Sequence, residues 1–287
     1  MASTRHRDPR LRRPTGPGRA RQRTAAQRAA RQRALARRQW LAPAVAVAAV
    51  LAVVAGLVAV KLTSGTAPAA SESAATRAVV SQVTAIPETV LARVRPSTPL
   101  QTVQRPGPVL MIGGKPAIVF VGEESCPFCA AERWPLAVAL SHFGTWRHLG
   151  ATRSSPTDVF PNTATLSFRT ASYESSGLTL RTTELTDNRG RRLQPLTALD
   201  TTLIRRYDVP PYVNSAAQSG AVPFLDIGNR YILAGAQYSP QVLAGLSQAQ
   251  IASQLRDPAS PVAQAIDGSA KVIIAAIDNV LHDRAPA

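Results

Sequence analysis

The chain has two cysteines, and they stand together as Cys126-Pro127-Phe128-Cys129. They follow an apolar run, Pro116 to Gly122, and open a helical pattern that continues through Leu140. Strand, CxxC, helix is the setting in which two thiols cycle with a disulfide. With no third cysteine, the pair can only bond to each other, bind a ligand or stay free. A static bridge is the plain alternative, but so small a loop removes little entropy from the unfolded chain and makes a poor staple. Zinc wants about four ligands. Besides the cysteines the chain offers His6 in its N-terminal tail, His142 and His148 past the helix, and His282 near its end. No metal site and no other cofactor is therefore expected.

The net charge of +16 suggests nucleic acid until it is located. Residues 1–40 hold 13 arginines and one acid, Asp8, so that tail alone carries +12 and the other residues only +4. Directly after it, Leu41 to Val60 is free of charged residues. As a helix this stretch spans roughly 30 Å, the thickness of a bilayer's hydrocarbon core. Residues 41–61 are read as one transmembrane helix. Arginines before it and only Lys61 after it put the N-terminus in the cytoplasm and the rest of the chain outside the cell membrane. A cleaved signal peptide is the rival reading, and Ala67-Pro68-Ala69 resembles a small-residue cleavage site, but the apolar stretch is longer than a signal peptide's. The arginine tail then sets topology and can lie on anionic lipid headgroups. Nucleic acid is not an expected partner, since the tail has no aromatic residue before Trp40 and no binding fold.

The chain thus divides into a disordered basic tail (1–40), a span (41–61), a flexible small-residue linker (62–76) and an extracytoplasmic domain (77–287). Within the domain, Val79 to Leu91 suggests a short helix interrupted at Pro87. Ile118–Val121 reads as a buried strand. A helix is expected from about Pro127 to Phe143, kinked at Pro135, and Gly113-Gly114 as a turn. Thr163–Thr170 and Gly177–Glu184 have strand composition, with Ala171–Ser176 turn-like between them. Thr197–Tyr207 reads as a helix. Ala221–Ile227 and Arg230–Ala234 read as a hairpin around Gly228-Asn229. Four helical stretches follow: 240–246, 248–255, 261–266 and 270–281. This is an α/β plan without internal repeats.

A thiolate, not a thiol, attacks a disulfide. Cys126 at the start of a helix gains from unpaired backbone N–H groups and the helix dipole. Cys129, one turn further in, can attack the mixed disulfide and release the second product. Pro127 suits the first helical turn. Val222-Pro223, leading into the hairpin, is a place where a cis peptide has functional use. Arg133, one turn beyond Cys129, is placed to stabilise a thiolate but is read rather as solvated, and Glu123 and Glu124 are read as a solvated loop. Trp134, Phe143 and Trp146 read as core or groove lining. No hydrolytic triad and no phosphate loop is recognisable.

The dithiol ahead of a helix, then Val222-Pro223 before a hairpin and a closing helix, resembles the thioredoxin fold. In that family the proline is cis, faces the dithiol and helps hold the substrate backbone. The separation of Cys126 from Pro223 implies an insertion, partly helical, that includes the 197–207 helix. More specifically, Phe120 to Trp134, Ala139 to Gly144, Ser154-Ser155 and Val222 to Tyr231 resemble the family called domain of unknown function 929, over roughly residues 77–281. Its members are thioredoxin-like and frequently membrane-anchored. Two positions depart from ordinary thioredoxin. Phe120 stands where a buried acid is usual, and Ser125 where a tryptophan precedes the first cysteine.

The expectation is a membrane-tethered thiol–disulfide oxidoreductase acting on exported proteins, with a redox partner in the membrane. Cys126 is the nucleophile and Cys129 the resolving thiol, while Pro127, Phe128, Val222 and Pro223 contact substrate. The alternative is a non-catalytic thioredoxin-like module that docks an envelope partner and carries a structural Cys126–Cys129 disulfide.

Overall fold

A computed structural model of the chain describes residues 69–283. The tail, the expected span and the start of the linker lie outside the described residues. Among those described, no helix is long and apolar enough to cross a membrane. The first element, α1 (Ala69–Val83), begins inside the segment expected as linker. Its Ala, Ser and Glu content explains the difference, because alanine and glutamate are strong helix formers. Pro87 then caps α2 (Glu88–Arg93), so the expected interruption separates two helices.

The sheet is built on β3 (Lys115–Gly122), which is buried almost throughout. It pairs in parallel with β8 (Thr179–Glu184) on one side and antiparallel with β9 (Phe224–Ile227) on the other. β10 (Tyr231–Ala234) folds back on β9, and β1 (Gln101–Thr102) adds to β10 at the edge. A short β2 (Met111–Ile112) turns onto the start of β3 through Gly113 and Gly114, both at positive φ. Gly228 and Asn229 also have positive φ and form the expected tight turn between β9 and β10.

Strand alternation assigns the two faces. Ile118 and Phe120 of β3, with Leu225 and Ile227 of β9, join the larger core; Val119, Val121 and Phe224 join the smaller one. Over the first face lie α3 (Pro127–Leu140) and α6 (Pro261–His282), together with α5 (Gln248–Gln254) and α1. Over the second lies α4 (Ala198–Tyr207), through Leu203 and Tyr207. The result is a mixed α/β structure with helices on both faces of one sheet.

Several elements differ from expectation. The two helices foreseen at 261–266 and 270–281 are one, because Gly268 does not break α6. Its bare Cα lets the chain near Arg95 approach so closely that a Cβ would fall 2.6 Å from the Arg95 carbonyl oxygen. The stretch from Pro240 is helical only as a 3₁₀ turn to Leu243. Between α3 and β8 the strand expected at Thr163–Thr170 forms within those bounds, and other short strands that were not expected accompany it. β4 (Thr145–Arg147) pairs with β7 (Ser172–Glu174), inside the segment expected as a turn, and β5 (Gly150–Arg153) pairs with β6 (Ala164–Ser167). Runs of three or four residues are too short to declare a strand by periodicity. The helical part of the expected insertion, 197–207, is α4, which joins β8 to β9.

Helix α3 carries Pro135 in its interior without ending there, and it closes at Leu140 rather than Phe143. A proline supplies no N–H to the carbonyl four residues earlier. That carbonyl, of Ala131, instead accepts a hydrogen bond from the Tyr238 hydroxyl at 2.7 Å.

Several acids are buried among these elements, including Glu132 on α3, Asp226 on β9 and Asp267 on α6. Burial pushes their carboxyls up, to about 8 for Glu132 and about 7 for Asp226 and Asp267. In the unfolded chain each ionises near pH 4. Between that pH and the folded values the native state holds more protons, so stability falls as pH rises, by at most about 1.4 kcal/mol per pH unit for each acid. The urea midpoint is expected to be higher at pH 5.5 than at pH 8.5, and Glu132→Gln should flatten the difference. A midpoint that rises over this interval would count against the buried, protonated acids.

Candidate functional site

The carboxyl ends of β3 and β8 meet at Gly122 and Glu184, which face each other across the ladder. The loop 123–125 leaves this edge and is pinned to the chain after β8. Glu124 N–H donates to the Thr186 carbonyl at 2.9 Å, and the Ser125 and Thr186 hydroxyls lie 2.9 Å apart. On the far side, Ser155 N–H donates to the Ser125 carbonyl at 2.8 Å, so the β5–β6 loop also grips the approach to the dithiol.

Cys126 caps α3 from an extended backbone, and its Sγ accepts from the Cys129 N–H at 3.3 Å. This is a capping role in which sulfur meets a free amide of the first turn. Cys126 is half-buried and Cys129 wholly buried, and both are free thiols. The Cys126 Sγ–H points to the Val222 carbonyl at 3.7 Å, and the Val222–Pro223 bond is cis. The sequence-distant Val222-Pro223 is thus brought against the first cysteine. Behind, Cys129 Sγ accepts from the Glu123 N–H at 3.4 Å and lies beside Gly122, where a Cβ would sit 3.5 Å from the sulfur.

The two thiols are driven apart. Cys126 is held below the ordinary thiol value, chiefly by its hydrogen bond with the Cys129 thiol. Burial opposes this, and the amides of Cys129 and Phe128 and the charge of Arg133 assist it. Cys129 lies well above the ordinary value, chiefly through burial and then through Cys126, against smaller help from Arg133 and the Glu123 amide. One sulfur is half-buried and shifted toward ionisation; the other is buried and shifted toward its protonated form.

Of the four residues expected to contact substrate, Phe128 is 39% exposed and Val222 half-buried, while Pro127 and Pro223 are buried. The prolines shape backbone rather than present side chains. Phe128 meets Phe160 of the β5–β6 loop edge-to-face, with centroids 5.8 Å apart, and Val159 beside it is 74% exposed. A cavity of about 540 Å³ adjoins the 123–125 loop instead, lined by Glu123, Thr186, Leu193, Pro195 and Leu196 among others.

Two readings are corrected. Arg133 is not solvated: its side chain is fully buried and forks onto Glu184, with Nε to Oε1 at 2.8 Å and Nη2 to Oε2 at 2.6 Å. Glu184, remote in sequence, supplies the counter-charge that makes such burial tolerable. Glu124 is also buried, and its carboxylate accepts from the Ser167 hydroxyl. Trp134 and Trp146 lie in the core as expected. Among the described residues no three His, Cys, Asp or Glu side chains are grouped to hold a metal ion. The sequence did carry one signal that Arg133 is not solvated, since its neighbours one turn away on the helix are Cys129, Ala130, Leu136 and Ala137.

The separation of the thiols predicts their reactivity. In the reduced protein, iodoacetamide should label Cys126 with a pH midpoint below about 8.5, the value of an unperturbed thiol, and leave Cys129 unlabelled until the fold is opened. Equal labelling of both, read by peptide mass, would contradict the geometry.

Comparison with curated proteins and with solved structures gives no match. Residues 109–279, more than half of the chain and including both cysteines, Arg133, Glu184 and Pro223, match the family described as domain of unknown function (DUF929), and the chain belongs to it.

Proposed function

We propose that this protein is a thiol–disulfide oxidoreductase with a thioredoxin-like fold, tethered to the membrane and acting on exported proteins. The observation that carries the reading is the unequal pair: a half-buried, ionisable Cys126 at the N-cap of α3, with protonated Cys129 one turn behind it. The order of elements supports the fold: β3, α3 and parallel β8, then the β9–β10 hairpin after Val222–Pro223, and α6 to close. The Val222 carbonyl beside Cys126 is suited to hold an extended substrate backbone, with Phe128 and Val222 as apolar contacts. The uncharged stretch 41–60 behind an arginine tail supports the tether and its lipid contacts.

The exchange balances without a cofactor. Cys126 thiolate attacks one sulfur of a substrate disulfide, the S–S bond breaks, and the departing thiolate takes the proton of Cys129. Cys129 thiolate then attacks Cys126 Sγ, forms the intramolecular disulfide and expels the second substrate thiolate. The substrate gains the two electrons that the dithiol loses. Oxidation of a substrate dithiol is the same sequence in reverse, with a membrane redox partner restoring the disulfide.

The reduction potential of the protein, titrated against glutathione, tests this reading. A value between about −120 and −270 mV marks an exchange catalyst, whereas one below about −300 mV marks a persistent structural bridge and overturns the proposal in favour of a binding module. Cys126→Ser should abolish exchange, and Cys129→Ser should trap substrates as mixed disulfides.

A further inference from the structure

Arg133 has more donors than Glu184 uses. Nε and Nη2 are spent on the carboxylate, while Nη1 is buried with no hydrogen-bond partner. Its guanidinium carbon lies 5.9 Å from the centre of the Phe120 ring. That ring packs on Gly122 so tightly that a Cβ there would fall 2.7 Å from it, and the same point is 3.5 Å from Cys129 Sγ. Phe120 stands where thioredoxins keep a buried acid, so this aromatic floor carries a cation at one side and the resolving sulfur near the other. Arg133 also follows Cys129 by one helical turn, the spacing that puts two side chains on one face.

We propose that Arg133, fixed in place by Glu184, is the positioning residue that stabilises negative charge on the Cys126–Cys129 pair. The inference rests on the oxidoreductase reading for its use, and on the geometry alone for its existence. When the departing substrate thiolate takes the proton of Cys129, the new thiolate is born in a wholly buried place. A fixed cation with an uncommitted N–H answers that charge without accepting a proton, so no buried acid is needed at position 120. The other charged groups facing this region are Glu123 and Glu124 of the loop and Glu184 itself. Glu124 is engaged by Ser167, while Glu132 turns away to the Gln237 N–H. The charge of Arg133 acts on both thiols in the direction of ionisation.

The test compares two variants of the full chain by the pH profile of Cys126 alkylation and by the reduction potential. Removing one partner alone leaves a lone buried charge, whereas a matched apolar pair can keep the fold. Arg133→Met combined with Glu184→Met should raise the alkylation midpoint by about one pH unit. It should also make the dithiol about tenfold more reducing, which is about 30 mV. Glu184→Gln, which keeps the cation and removes its counter-charge, should move both quantities the opposite way. A purely structural role would move both variants alike or neither, and either result overturns the proposal. If neither variant folds, the wild-type reduced protein decides. The side-chain ¹⁵N resonance of Arg133 should titrate with the thiol midpoint, and a resonance that stays fixed overturns the inference. These readouts do not require a protein substrate, so they stand even if Cys126→Ser leaves exchange unchanged and the functional reading fails.

Discussion

The parallel pairing of β3 with β8 is the constraint from which the site follows. It brings Gly122 opposite Glu184 at the carboxyl edge of the sheet, and every group near the dithiol is placed from there. The helix that leaves Gly122 through a short loop must present its first turn above that edge, which fixes Cys126 as its cap. Glu184 then sits where the second turn of the same helix arrives, and Arg133 meets it. Crevices outside the carboxyl ends of strands are where open α/β sheets bind ligands, because loops can vary there without disturbing the ladder. Here that edge also holds the buried Arg133–Glu184 ion pair.

Much of this was legible in the chain. A β-branched run, a dithiol, a proline suited to a first helical turn and a Gly-Asn turn between two apolar stretches are local statements, and each element formed where its residues said. The single pair of cysteines narrowed the chemistry before any contact was known. Helix α4 was legible for the same reason, since Thr197 and Asp200 close a capping box at its start. What the sequence could not show was pairing at a distance. Arg133 and Glu184 carry no mark that they meet, and a cation on a helix is most often solvated. Likewise the short strands β4, β5 and β7 exist because partners lie alongside, not because their own composition demands it. Gly268 reads as a break until the chain at Arg95 is seen to occupy the space a side chain would take.

The site also shows how unequal work is drawn from two identical side chains. Cys126 and Cys129 are three residues apart, yet one sulfur lies at a helix mouth under free amides and the other beneath it against Gly122. The helix supplies hydrogen bonds to the first and shelter to the second. Side chains of the intervening Pro127 and Phe128 are divided in the same manner, one buried as part of the turn and one turned outward beside Phe160.

Pro135 and Tyr238 have a bearing on how such a chain can change over time. The proline removes an amide from the helix that carries the dithiol, and a hydroxyl from the segment after β10 replaces the missing donor at Ala131. Without the tyrosine the proline leaves a buried carbonyl unanswered, whereas without the proline the hydroxyl still has the second lone pair of that carbonyl. The dependence therefore runs one way: a residue at 135 that restores the amide removes the need for the tyrosine, whereas loss of the tyrosine exposes the cost of the proline in the helix that carries the dithiol.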